Sequence, residues 1–250
     1  MPEETSTEPT PGLTLPPRPD SLMDLVYETI LRAIKTKALL PGSRVTEAGL
    51  TAQLNVSKTP VREALLRLKE IGLIEDEGRR GGRIAVASVD AIRATFEARE
   101  ALEVYLASQA ATVATPTQIE EIRDTALSSS DAAQEDTLER YTFFDAAFHR
   151  AINDAVGNPL IAPMLANVLT RVAVFREREL APGSSFSLTC GEEHVAIAEA
   201  IAARDADLAG RLMREHVQHV RDYVLERFVA SKPEGAEPGE RTSPLPAATA

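Results

Sequence analysis

A mainly α-helical chain of two unlike domains is what this sequence predicts, and three observations carry that expectation. The composition is rich in Ala, Leu, Glu and Arg, with aromatics at 4% and no tryptophan, which favours helices over a β-sandwich. One Gly-rich basic segment, GRRGGRIAV at 78–86, gives a clear hairpin signal. The charge also changes character near Ser88. Residues 21–87 hold 11 Lys/Arg against 8 Asp/Glu, whereas residues 88–230 hold 13 against 23, so the net charge of −11 belongs to the second part of the chain.

The ends read as solvated tails. Residues 1–20 and 231–250 are rich in Pro, Gly, Ser, Thr and Glu and carry too little apolar surface to offset chain entropy. The first twenty residues have neither a basic n-region nor an apolar core, so they are not expected to act as a signal peptide. No apolar run approaches the roughly 20 residues that span a bilayer. Cys190 is the single cysteine; it excludes an internal disulfide framework, reads as a packed residue and fits a reducing cytoplasm.

Between the tails, the first helix is expected from Ser21 to Thr36, with Leu22, Leu25, Val26, Thr29, Ile30 and Ala33 on its inner face. LLPGSRVT follows as a turn punctuated by Pro41-Gly42. Thr46 caps a short second helix over 47–54, and Ser57 caps a third, with Pro60 in its first turn. Val61, Ala64, Leu65 and Leu68 share the inner face of that third helix, and Gly72 ends it. LIEDE and RIAVA then form two short strands about the Gly-rich turn. Asp90 opens a helix through about 114, and the next runs from Pro116 to about 127. Further helices cover about 135–155, 158–179, 187–203 and 206–229, with loops short enough for an antiparallel bundle.

Two short helices, a tight turn and a following hairpin describe a winged helix-turn-helix over residues 21–87, whose second helix enters a DNA major groove N-terminus first. Ser57 and Thr59 place short donors at that helix N-terminus, where backbone N–H groups and the helix dipole favour phosphate. Lys58 and Arg62, one turn apart, reach phosphates or the O6/N7 edge of guanine. Arg79, Arg80 and Arg83, set around Gly82, suit a wing lying along the DNA backbone or minor groove. In the acidic second domain, Asp145 and His149 stand i, i+4 on one helix. His194, His216 and His219 follow on later helices, and periodicity does not choose between His216 and His219, which share an inward stripe. Asp and His together suit Zn, Ni, Mn or Fe(II).

VSKTPVREALLRLKEIGLIE closely resembles the signature of the GntR family of bacterial transcription regulators, and GRRGGRIAV matches its wing. The resemblance implies operator contacts from Ser57, Lys58, Thr59, Arg62 and a wing glycine. Two departures stand out: Lys58 replaces the usual Arg, losing the planar fork for bidentate guanine contact, and Ala48 stands where many members carry Arg or Glu. FFDAAFHRAI and EEHVAIAEAIAARDADLAGRLMREHV are similar to the FCD ligand-binding domain of the FadR-type branch. That similarity implies an all-helical domain over 88–230 with a metal held by Asp145, His149, His194 and His216, and His219 as a neighbour. It further implies a pocket for a small carboxylate or sugar acid, with Arg99 and Asn158 as candidate effector contacts and Arg171 and Arg176 as weaker ones.

The function implied is a homodimeric transcription regulator, with repression the simpler sign. It would bind a pseudo-palindromic operator under control of that effector, with zinc the first choice of metal. The alternative is a sensor for which the ion itself is the signal. An enzyme is not expected: HExxH is absent, and no serine or cysteine is paired with a base by a recognised motif.

Overall fold

In the computed structural model, which describes residues 21–78, 81–135, 138–175 and 183–230, twelve elements follow one another. The chain divides into two compact units, Met1–Ala85 and Val86–Ala250. The expected tails, Arg79, Arg80 and Arg176 lie outside the described residues.

The first unit begins with α1, Leu22–Lys35, capped by Ser21, whose side chain accepts from the Asp24 N–H. Its inner face is Val26, Tyr27, Ile30, Leu31 and Ile34, while Leu22 and Leu25 are 50% and 59% exposed. The face expected from periodicity is therefore rotated toward Tyr27. A cross-helix clamp accounts for the turn: the Arg67 guanidinium lies 4.0 Å from the Tyr27 ring centroid and also pairs with Asp24 at 2.8 Å.

Strand β1, Arg44–Thr46, precedes α2, Glu47–Leu54, where the sequence alone suggests a turn. Thr46 caps α2 as expected, accepting from the Gly49 N–H at 3.1 Å. Asn55 ends it in the left-handed region at φ 52°. Helix α3, Lys58–Glu70, buries Val61, Ala64, Leu65 and Leu68. Ser57 occupies the N-cap position but makes no side-chain cap hydrogen bond, a correction to its expected role. The helix closes through Gly72 (φ 69°), with Leu73 N–H on Leu68 O and Gly72 N–H on Lys69 O.

Strands β2, Ile74–Asp76, and β3, Gly81–Ile84, complete an antiparallel sheet in the order β1-β3-β2. Gly82 of the central strand stands opposite Val45 on one side and Asp76 on the other. A Cβ at Gly82 would run into the Ile74 side chain and the Glu75 carbonyl, and one at Gly81 into the Val45 carbonyl. These glycines let three strands close, a structural role that competes with the expected DNA contact of Gly82.

The second unit is six helices: α4 Val89–Val113, α5 Pro116–Glu135, α6 Leu138–Val156, α7 Ile161–Phe175, α8 Ser185–Ala202 and α9 Ala206–Ala230. Ser88, not Asp90, caps α4, accepting from the Ala91 N–H at 3.1 Å. Helix α5 runs eight residues beyond its expected end because Ser129, Ala132 and Ala133 are buried rather than forming a polar turn. α4 packs chiefly along α9, and α5 along α8 and α6. A Cβ at Gly191 of α8 would meet the Ser130 backbone of α5, so glycine allows the close approach that brings Ser129 to α8. The core gathers Ile92, Phe96, Leu106, Phe148, Ile152, Ile197 and Met213 around the site below. Among the described residues no helix is long and apolar enough to cross a membrane.

Candidate functional site

On the first unit, Ser57, Lys58, Thr59 and Arg62 are all exposed at the N-terminal end of α3. Their neighbours are internally committed: Arg67 pairs with Asp24, Lys69 with Asp76, and Arg83 with Glu77 while donating to the Gly42 carbonyl. Among the described residues, Lys58 and Arg62 enter no ion pair, so α3 presents two cations whose charge is not already compensated. Arg83, an expected DNA contact of the wing, also pairs within the wing.

On the second unit, His149 of α6, His194 of α8 and His216 of α9 converge. Each is at most 2% exposed, and one ring nitrogen from each lies within 4.8 Å of the others. Burial comes first in holding both His194 and His216 neutral: it pushes His194 well below its ordinary value and His216 down to about 4. Neutral imidazoles are the form that ligates metal. The Phe148 ring, stacked on His194 at 4.3 Å, fixes one ring plane.

The outer nitrogens are each held by another side chain. Nδ1 of His216 donates to Glu193 Oε2 at 2.7 Å, which turns its Nε2 lone pair toward Nε2 of His194, 3.3 Å away. Nδ1 of His194 lies 2.9 Å from Ser129 Oγ, a hydroxyl able to donate or accept and so to serve either tautomer. Nδ1 of His149 lies 3.0 Å from Glu103 Oε1 without hydrogen-bond alignment, and its Nε2 receives an Arg99 N–H at 2.9 Å. For His194 and His216 this is the arrangement by which outer partners orient metal-binding imidazoles, whereas the Nε2 lone pair of His149 is engaged by Arg99.

Arg99, which periodicity would equally place on the solvent side of its helix, is 1% exposed and donates to Glu103 Oε2 at 3.0 Å. Burial alone would raise the Glu103 carboxyl; the Arg99 guanidinium, with His149 alongside, reverses this and holds it at about 2. Asp145 is buried, and its charge acts on His194, yet its carboxylate lies outside the group of three nitrogens. One guanidinium is thus set against the carboxyl groups of Glu103, Asp145 and Glu193, a balance that a divalent cation would neutralise. Three convergent imidazoles inside that surplus fit a transition metal.

His219 is the half-buried neighbour rather than a member of this group. Asn158, a candidate effector contact, uses its Oδ1 to accept from the Leu160 and Ile161 N–H groups. Arg171 donates to Thr95 Oγ1 at 3.1 Å. Sequence reasoning missed Glu103, Ser129 and Glu193. Only Glu103 left a trace, as the i+4 partner of Arg99.

Comparison with known proteins agrees with this architecture. Residues 22–84 match the family described as bacterial regulatory proteins, gntR family, and residues 94–219 match the FCD domain. The chain is 26% identical to the HTH-type transcriptional repressor RspR of Escherichia coli K12, over 80% of this chain and 88% of that one. It is 29% identical to the repressor NanR of Citrobacter rodentium, over 80% and 84%. The solved structure of E. coli McbR/YncC superposes with a TM-score of 0.70 at 21% identity, covering 83% of this chain and 99% of that one, and so supports the fold. The chain belongs to the GntR family of bacterial regulatory proteins, in the branch that carries an FCD domain, and is a DNA-binding transcriptional regulator rather than an enzyme.

Proposed function

We propose that this regulator is a homodimeric repressor whose operator affinity is set by a small carboxylate or sugar acid bound at a metal centre in the FCD domain. The observation that carries the reading is the convergence of His149, His194 and His216, with Ser129, Glu193 and Glu103 at their outer nitrogens. These histidines would hold the ion, with Asp145 as the carboxylate nearest to completing the set and zinc the first expectation. A bound ion would supply Lewis-acid coordination of the effector's carboxylate. Arg99 lies beside His149 and adds a fixed guanidinium suited to a carboxylate or to the hydroxyls of a sugar acid. Effector control requires the acid to bind the operator-free arrangement of the dimer better than the operator-bound one.

Removing one inner nitrogen tests the centre. His216→Ala should lose one equivalent of bound metal by elemental analysis while keeping its helical spectrum. Wild-type protein should gain melting temperature with the correct organic acid, and chelation should abolish that gain. Full metal occupancy in the variant, or stabilisation by an acid that survives chelation, would refute the reading.

DNA readout is assigned to the exposed end of α3, with Ser57 and Thr59 reaching phosphate beside the two uncompensated cations. Lys58→Ala and Arg62→Ala should each weaken binding by about tenfold or more, in a gel shift against a fragment selected by the wild type from random DNA. Lys58→Ala should do so nearly equally for all sequences if lysine contacts only phosphate. Unchanged affinity in both variants would remove α3 from the interface.

A further inference from the structure

A second cluster of ligand-type side chains lies next to the histidine centre and shares Glu193 with it. Cys190 and Glu193 lie three residues apart on one face of α8, and His219 of α9 faces them. One ligand atom from each side chain lies within 4.8 Å of the others. We infer that Cys190, Glu193 and His219 form a second cation site, for a thiophilic divalent ion such as zinc.

The donors are chemically matched. A thiolate, an imidazole and a carboxylate make a mixed set suited to tetrahedral zinc, leaving one position for water. Ligand atoms in such a shell stand about 3.3–3.6 Å apart, and the three here already lie within 4.8 Å of one another, so small side-chain shifts complete it. Cys190 is fully buried, whereas the side chains of Glu193 and His219 are 25% and 34% exposed. The site therefore has a dry floor and an open mouth through which an ion enters and the thiol proton leaves to solvent.

A second observation points the same way. Nδ1 of His219 is shielded from solvent and has no aligned hydrogen bond, although Glu193 Oε1 lies only 2.9 Å away. That nitrogen faces a carboxylate of the group without good alignment, a contact that a metal ion held between the two would improve. The ring is held in place: Phe186 lies 4.9 Å from it and stacks on Tyr223 at 3.7 Å. Glu193 contacts His216 with its other oxygen, so the carboxylate is already oriented between both imidazoles. The inference does not depend on metal at His149, His194 and His216.

The test is titration of the reduced, metal-stripped, full-length protein with cobalt(II). A near-ultraviolet thiolate-to-cobalt charge-transfer band should grow and saturate by two equivalents, one for each site. Cys190→Ser should abolish the band, and His219→Gln, a change at a half-exposed position, should weaken cobalt binding by at least about tenfold. The double variant His149→Ala/His194→Ala should keep the band, because its thiol site is separate. No band in wild-type protein whose thiol reacts fully on denaturation would overturn the proposal. So would loss of the band in the double histidine variant, or an unchanged titration in His219→Gln. Melting by circular dichroism checks that Cys190→Ser remains folded; should it not, His219→Gln decides.

Discussion

Glu103→Ala should destabilise the second unit by about 3–5 kcal/mol, the largest single-residue effect expected in this molecule. The reason is what the substitution leaves behind. Arg99 and Glu103 are each 2% or less exposed, and their 3.0 Å contact is the guanidinium's ion pair in the core. Without the carboxylate, a cation that water cannot reach stays beside the imidazole of His149. Replacing both partners, as in Arg99→Met/Glu103→Leu, should recover most of the loss, because the desolvation penalty disappears with the charges. Urea denaturation monitored through the α-helical signal measures both variants. A loss below about 1 kcal/mol in Glu103→Ala would show that the site opens to water. The double variant separates stability from function, since it should restore the fold while removing the acid-induced stabilisation.

Gly82→Val should abolish operator binding while leaving the second unit folded and loaded with metal. The added side chain has no room: its first carbon would collide with Ile74 on one flank and with the Glu75 carbonyl on the other. Overpacking of this kind costs about 1–3 kcal/mol when side chains can yield, and here one of the obstacles is backbone. The central strand must therefore shift, and the pairing that carries the wing goes with it. The check has two parts, a gel shift and elemental analysis on the same preparation. Gel-shift affinity within threefold of wild type would mean that the sheet is not needed for DNA binding. Lost metal would mean that the lesion spreads beyond the winged unit.

The parts of the fold legible in the sequence are those in which one local signal suffices. Val61, Ala64, Leu65 and Leu68 recur at helical spacing and all end in the core, and Thr46 sits where a cap is needed. The helix count of the bundle follows from turn residues in the same way. Features decided by a distant partner were not legible. The inner face of α1 depends on Tyr27 meeting Arg67, forty residues on. Strand β1 exists because β3 offers it an edge, and three residues of RVT carry no period of their own. The Ser-rich stretch of α5 looks like a turn until His194 takes the hydroxyl of Ser129. At the site, the histidines stood out because the chain has only four, and the carboxylates that orient them were lost among its 38 acidic residues.

Thr46 belongs to two structures at once: its backbone pairs with Gly81 in the sheet, and its hydroxyl starts α2. The sheet and the first helix of the helix-turn-helix pair are therefore tied within a single residue. Unzipping the wing would uncap the helix pair, and fraying the helix pair would release the wing. Intermediates with one half docked and the other loose are disfavoured, so this reader engages and leaves its operator as one cooperative block. Dissociation should follow a single exponential, and control of occupancy falls to moving the block as a whole rather than reshaping it.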